Sequence, residues 1–135
     1  MDKSLALLQD ILEACDRING YTTGLDLKSW ENDHKTQDAV ERNFDRIGEA
    51  LNRLDRHDPS LAGKIPEMVR IIDFRNFLTH QYDDVDPLIV WNHIQNKFPV
   101  LHATIRSLVD ELDPQQDPIG DSEPDPTPPS FGPGM

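Results

Sequence analysis

Three side chains capable of chemistry stand in an otherwise apolar run, in the stretch RNFLTHQY that begins at Arg75. His80 carries an imidazole, a group that can act as a general acid or base. Arg75 can hold the negative charge of a phosphorane. An arginine and a histidine within reach of each other are what cleavage of a phosphodiester by a neighbouring 2′-hydroxyl needs. Tyr82 lies two residues beyond the histidine.

The same residues also have plain structural explanations. A buried arginine needs an acidic partner, and Asp73 and Glu49 are candidates for that role. A histidine at the end of a helix can act as a cap, because the helix dipole favours a cation there. Taken singly, neither residue decides between the structural and the catalytic explanation.

The helix that carries the motif limits how the two residues can cooperate. Five residues separate Arg75 from His80, which turns their Cα–Cβ bonds about 140° apart on an ideal helix. They can therefore meet at one phosphate through a distorted last turn, through the reach of the arginine, or through two copies of the chain across a dimer axis. The surrounding segment is apolar around nearly its whole circumference, which is typical of a helix that is central or lies at an interface.

Apolar residues at helical spacing predict an all-α protein. We expect Gly20 to end the first helix and Pro99 to kink the last one. Four principal helices joined by short links indicate an antiparallel bundle of four to five helices. The predicted helices span residues 3–19, 36–55, 66–80 and 87–112, with a short additional helix near 26–32.

The helix predicted over 36–55 has a charged stripe opposite its apolar seam. Arg42, Arg46, Glu49 and Arg53 follow one another at spacings of four, three and four residues. The stripe is either a solvated face or a positive strip that faces a partner or a site, and the spacing does not separate these interpretations.

Composition restricts the possible functions. The chain has 135 residues and a net charge of -12, so any contact with RNA must be a local patch on an acidic surface. No apolar run is long enough for a transmembrane helix, and acids within the first apolar stretch argue against a signal peptide. Cys15 is the single cysteine, which excludes an intrachain disulfide and agrees with a cytoplasmic protein.

The chain divides into two parts. Residues 1–112 are predicted to form the helical domain. The segment 113–135 holds seven of the eleven prolines, five acids and no base. It has too few large apolar residues to offset the entropy of ordering, so we expect a disordered acidic tail.

The motif and its surroundings together resemble HEPN domains, and in particular the HepT-like toxins of prokaryotic toxin–antitoxin pairs. RNFLTHQY fits the pattern R-x4-H-x-Y. AVERNFDRIGEALNRL is similar to the second helix of that family, with its I-G-E-A core. IPEMVRIIDFRNFLTHQYDDVDPLIVWNHIQNKFPVLHATI resembles the motif helix, the acidic turn and the long last helix. The resemblance covers roughly residues 3–112.

The resemblance implies a homodimer whose two motifs line a shared cleft. It implies a metal-independent endoribonuclease that needs no cofactor and leaves a 2′,3′-cyclic phosphate. By position, Arg75 would stabilise the phosphate and His80 would be the acid or base. Asn76 would support the motif, and Glu49 would lie near the cleft. A minimal nucleotidyltransferase antitoxin would transfer AMP from ATP to Tyr82, and the added phosphate and bulk would block the cleft.

The sequence departs from the family pattern at two places. Members typically have tryptophan after the proline and Gly-Met before the arginine, where this chain has Glu67 and Asp73-Phe74. Asp73 beside Arg75 would lower the local positive potential. The acidic proline-rich tail is also outside the pattern.

Two other functions remain open at this stage. The chain could be a non-catalytic nucleotide-binding or scaffold partner of a nucleotidyltransferase, an alternative that its acidity favours. It could also be a helical structural dimer in which Arg75 only pairs with an acid.

Overall fold

The computed structural model describes residues 2–80 and 85–113, and these residues contain helices and connecting turns but no strand. The prediction of an all-α fold is confirmed. Tyr82 and the predicted tail beyond Asp113 lie outside the described residues. The helices are α1 (Lys3–Thr22), α2 (Leu27–Glu31), α3 (His34–His57), α4 (Pro59–Ala62), α5 (Met68–Thr79), α6 (Pro87–Asn96) and α7 (Phe98–Leu112). No helix of this described part is long and apolar enough to cross a membrane.

The core lies between the long helices α1, α3 and α7, with α1 packed against both of the others. Polar contacts fix their directions. The Ser4 hydroxyl at the start of α1 donates to Asp58 just after α3, at 2.9 Å. The Gln9 amide donates to Asp113 just after α7, at 3.2 Å. Helix α1 therefore runs antiparallel to α3 and to α7. Fully buried side chains fill the space between the three helices: Leu8, Ile11, Ile18, Phe44, Ile47, Leu51, Leu54, Leu101 and Ile105.

Helix α3 extends two residues beyond each end of the predicted 36–55 segment because aspartates cap it. Asp33 accepts the Thr36 backbone N–H at 3.0 Å, which satisfies a free donor of the first turn. The backbone N–H of Asp58 closes the last turn on Leu54. The Asp58 carboxylate also accepts the Leu61 N–H at the start of α4. That bond and the one from Ser4 lower the pKa of the Asp58 carboxyl.

The first helix does not end at Gly20 as predicted. It continues to Thr22, whose hydroxyl donates to the Ile18 carbonyl at 2.8 Å, and the Thr23 N–H bonds to the Asn19 carbonyl. Gly24, two residues after the end of the helix, has a positive φ of 88°. The threonine hydrogen bonds satisfy the last carbonyls, so a left-handed glycine is not required at position 20.

The single kinked helix predicted over 87–112 is instead two helices. The chain leaves α6 at Asn96 and enters α7 at Phe98, with Lys97 between them at φ −112° and ψ −42°. Pro99 falls in the first turn of α7, where its missing N–H would have had no helical partner. The proline begins a new helix and does not bend a continuous one.

Helix α5 lies at the surface, although its apolar circumference allowed a central position. Only Met68 and Ile71 are buried. Val69 is 68% exposed and Phe77 is 37% exposed. The helix packs against α3 on one side, and its exposed apolar side chains are those expected of a helix at an interface.

Candidate active site

Aromatic packing fixes the rotation of α5. Phe74 lies edge-to-face against Phe44 of α3, with ring centroids 5.2 Å apart. On another side it stacks on His93 of α6, with centroids 3.9 Å apart and planes inclined by 10°. Because Phe74 is held in a cluster with both rings, which also contact each other, the next residue, Arg75, is directed onto α3.

The aliphatic part of Arg75 crosses α3 at Gly48. A Cβ atom built on Gly48 would lie 2.8 Å from Cγ of Arg75 and 3.0 Å from its Cβ and Cδ. Glycine therefore leaves the gap that the arginine occupies. This contact gives a physical reason for the glycine of the I-G-E-A segment.

Three side chains surround the guanidinium. Its Nε donates to Asp45 Oδ1 at 2.8 Å, and Nη1 donates to Asn76 Oδ1 at 3.2 Å. Glu49 Oε1 lies 3.6 Å from Nη2. Glu49 and Asn76 therefore lie beside Arg75. Several N–H groups on Nη1 and Nη2 remain available to an anion.

Asp45 was missed by the sequence interpretation, which offered Asp73 and Glu49 as partners of the arginine. Glu49 is one of the partners in the structure, whereas Asp73 is exposed and does not pair with Arg75. Asp45 lies one helical turn before Glu49 on α3, so the two acids share one face of the helix. This i, i+4 spacing was the signal in the sequence that could have identified Asp45 as a partner of the arginine.

His80 stands at the end of α5. Its backbone N–H donates to the Asn76 carbonyl at 3.0 Å, and its side chain is exposed. Within residues 2–80 and 85–113, no hydrogen bond or ion pair joins His80 to Arg75. The structure therefore brings Arg75, Asn76 and Glu49 together, but it does not bring His80 to them within one chain. Tyr82 lies outside the described residues.

Arg75 lines a surface groove of about 560 Å³ between α3 and α5. Its charged side chains are three acids and three arginines: Asp38, Glu41, Asp45, Arg42, Arg46 and Arg75. The groove is thus electrically balanced on a chain whose net charge is -12. The groove is therefore less acidic than the chain as a whole, as the binding of an anionic substrate would require.

The charged stripe of α3 combines the two interpretations that the sequence left open, a solvated face and a positive strip that faces a site. Arg53 forms an exposed ion pair with Glu49 at 3.6 Å, as on a solvated face. Arg46 Nη2 lies 3.6 Å from Glu13 Oε1, and the Arg46 side chain also lines the groove. Arg42 lines the groove.

His102 and His93 have packing or ion-pair contacts away from Arg75. His102 Nε2 lies 2.8 Å from Asp16 Oδ1, and Arg106 reaches the same oxygen at 2.9 Å, which ties α7 to α1. His93 is buried against Phe74, and neither of its ring nitrogens has a partner among the described residues. Burial, with a smaller effect from Lys97, lowers the pKa of His93 from 6.5 to about 4.

Cys15 is the single cysteine of the chain. It is buried in the core, and burial raises the pKa of its thiol. It is therefore a protonated and inert core residue.

Comparison with known proteins adds a family to this geometry. A family model described as "Ribonuclease HepT-like" matches residues 11–108. A probable ribonuclease HepT of Thermococcus cleftensis is 33% identical over 103 residues, which cover 75% of this chain and 91% of that protein. A putative RNase of Methanocaldococcus jannaschii is 28% identical over 108 residues, covering 80% of this chain and 88% of the relative. No solved structure matches the chain.

Proposed function

Because the chain belongs to the HepT-like ribonuclease family, we propose that it is an endoribonuclease that cleaves RNA at a site built from Arg75 and His80 of two chains. The observation that carries this proposal is the arrangement of α5. Arg75 is held in the groove on α3, while His80 is exposed at the helix end and, among the described residues, has no hydrogen bond or ion pair with Arg75. A second copy related by a dimer axis would supply His80 to the phosphate that Arg75 holds.

The reaction needs no metal. Neutral His80 takes the proton of the 2′-hydroxyl, and the 2′-oxygen forms a bond to phosphorus. The free Nη hydrogens of Arg75 stabilise the charge on the phosphorane oxygens. The bond to the 5′-oxygen then breaks, and that oxygen takes a proton from solvent or from an imidazolium. The products are a 2′,3′-cyclic phosphate and a 5′-hydroxyl.

The surface of α5 supports dimerisation. Val69 and Phe77 are exposed apolar side chains on a helix that buries few residues within its own chain. Covering them would remove apolar area from water, and the same contact would bring two copies of the motif helix together. The homodimer is thus the assembly that this site requires.

The first experiment is RNA cleavage in EDTA. We expect the wild-type protein to cut RNA and leave 2′,3′-cyclic phosphate ends. Arg75→Ala and His80→Ala should each lose about 100-fold or more in rate. Activity that requires a divalent cation, or that survives both substitutions, would overturn the proposed mechanism.

We further propose that the protein is the toxin of a toxin–antitoxin pair in the cytoplasm, silenced by a nucleotidyltransferase. The Tyr82 oxygen would attack the α-phosphorus of ATP, releasing pyrophosphate and leaving AMP on the tyrosine. The added phosphate, two residues from His80, would repel the RNA backbone. The test is the mass of the Tyr82 peptide after co-expression with the neighbouring gene product. A gain of one or more AMP units supports the proposal, and an unmodified peptide from an inactive complex contradicts it.

A non-catalytic scaffold is the second candidate, and one observation favours it. Asp45 and Glu49 already neutralise Arg75, on a chain that is strongly acidic overall. In that case the free protein would be harmless in cells and would co-purify stably with its nucleotidyltransferase. Growth arrest by the wild-type protein but not by His80→Ala would exclude this candidate.

A further inference from the structure

Gly48 is the glycine whose missing side chain matters most among those described. It is buried in the middle of α3, where a glycine destabilises a helix relative to alanine. A Cβ atom there would lie 2.8 Å from Arg75 Cγ, a separation that real Cβ atoms essentially never show. Glycine at position 48 thus lowers the helix stability of α3, but it leaves the space that the Arg75 side chain of α5 occupies.

Gly20 provides a contrast within the same fold. It too lies inside a helix, α1, but a Cβ atom built on it meets nothing within 4 Å. An alanine at position 20 fits without any displacement, whereas one at position 48 does not. The close approach at Gly48 therefore belongs to the packing of α5 on α3 and is not a general property of helical glycines in this chain.

We propose that Gly48 is a positioning residue for Arg75, and that any side chain at position 48 moves the guanidinium away from its productive place. The proposal rests on the proposed catalytic role of Arg75. Without a side chain at position 48, the arginine stem lies directly on α3, and this lets Nε reach Asp45 at 2.8 Å. Glycine at this point acts on the reaction through the arginine and does not touch the substrate.

The surroundings leave little room for relaxation. One of the close atoms is Cβ of Arg75, at 3.0 Å, which is fixed to the backbone of α5 and cannot rotate away. Phe74 holds that backbone, because it packs against both Phe44 and His93. An added methyl group therefore forces α5 away from α3 or swings the arginine stem out of the groove. Either change lengthens the bond to Asp45 and displaces the charge that faces the phosphate.

The kinetic test compares Gly48→Ala with Gly20→Ala in the full chain, at a temperature at which both are folded by circular dichroism. We expect Gly48→Ala to lower kcat for RNA cleavage about 10- to 100-fold with KM changed less than about threefold, because the displaced group stabilises the transition state. Gly20→Ala should keep both constants. Wild-type kcat in Gly48→Ala, with Arg75→Ala inactive, would overturn the proposal.

A thermal cycle tests the contact independently of the reaction. Gly48→Ala is introduced into the wild-type chain and into Arg75→Ala, which lacks Cγ and Cδ, two of the three close atoms. We expect the change in Tm on adding Gly48→Ala to be more favourable in the Arg75→Ala background by about 4 °C or more. Equal changes in both backgrounds would overturn the inference.

The outcomes separate the inference from the proposed function. If Arg75→Ala cleaves RNA at the wild-type rate, the catalytic role of Arg75 fails, and the thermal cycle still decides whether Gly48 holds the arginine. If Gly48→Ala alone does not fold, folding of the double variant supports the contact, and a double variant that also fails to fold contradicts it.

Discussion

At the scale of the residue, Arg75 has two sets of interactions with different purposes. Its stem packs on Gly48, and its Nε is bound by Asp45, so the side chain is held before any substrate arrives. A guanidinium held in this way loses less freedom when it binds a phosphate, which favours catalysis. The cost is that two carboxylates compete with RNA for the same cation. Arg75 is thus paired with acids and still has N–H groups that can bind a phosphate.

The partner of Arg75 illustrates what the sequence cannot provide. The motif and the I-G-E-A segment placed Arg75, Asn76 and Glu49 near one another. They did not identify Asp45, because its distance from the arginine depends on the rotation of α5 against α3. That rotation is set by the packing of Phe74 against Phe44 and His93, which are far from it in sequence.

His93 predicts a pH dependence of stability. Its pKa is about 4 in the folded chain and near 6.5 when unfolded, so unfolding takes up a proton between these values. Stability should therefore be complete above about pH 6.5 and fall by on the order of 2 kcal/mol as the pH drops to 4. His93→Phe keeps the stacking on Phe74 and should flatten the Tm profile between pH 6.5 and 4.5. Thermal unfolding at several pH values measures this.

A second variant tests whether His93 causes this pH dependence. His93→Leu, which avoids overpacking by a larger ring, should flatten the profile in the same way. A slope in both variants equal to that of the wild type would mean that His93 is not the responsible group. Acid loss below pH 4 belongs to carboxyls such as Asp33 and Asp58, whose pKa values are lowered by hydrogen bonds.

At the scale of the element, periodicity predicted the long helices well, and single residues predicted their ends poorly. The apolar seams of α1, α3 and α7 face one core, as their spacing required. Gly20 and Pro99 were each read as an interruption on residue type alone. Threonine hydroxyls carried the first helix past its glycine, and the proline was placed in the first turn of a new helix. Residue type specifies neither the hydrogen bonds of the threonines nor the position of the break between α6 and α7.

Helix α5 predicts the effect of charge on assembly. Val69→Asp and Phe77→Asp place a charge on its exposed apolar face without disturbing the buried Met68 and Ile71. We expect each variant to shift the protein from dimer to monomer, because a carboxylate is costly to bury in an interface. Sedimentation velocity measures the shift, and RNA cleavage should fall with the dimer fraction.

A matched control is Leu112→Asp, at the end of α7, which is 41% exposed and belongs to a different helix. It should leave the dimer intact. Dimers that persist in both α5 variants, or a loss of dimer with Leu112→Asp as well, would place the interface elsewhere.

At the scale of the whole molecule, charge is the main obstacle to RNA binding. The net charge is -12, and residues 114–135 contribute four acids and no base. The groove at Arg75 compensates only locally, with arginines that balance its acids. Long-range repulsion should therefore slow the approach of RNA at low ionic strength and matter less when salt screens it.

Truncation after Asp113 tests this account. We expect the shortened chain to keep its helical spectrum and its Tm within about 2 °C, because the removed segment has too few large apolar residues to offset the entropy of ordering. Its KM for RNA should fall at low salt and approach the wild-type value at high salt. Replacing the four acids by amides in the full chain should reproduce the change, which separates charge from length. An unchanged KM at low salt in both proteins would contradict the electrostatic explanation.

The most direct test of the two-chain site is complementation. Arg75→Ala and His80→Ala chains carrying different tags are co-expressed, and the heterodimer is purified through both tags. One composite site in it then has Arg75 from one chain and His80 from the other, and the second site lacks both. We predict cleavage in EDTA at about half the wild-type rate per dimer, although each parent homodimer is inactive. A heterodimer as inactive as its parents would contradict the division of the site between two chains.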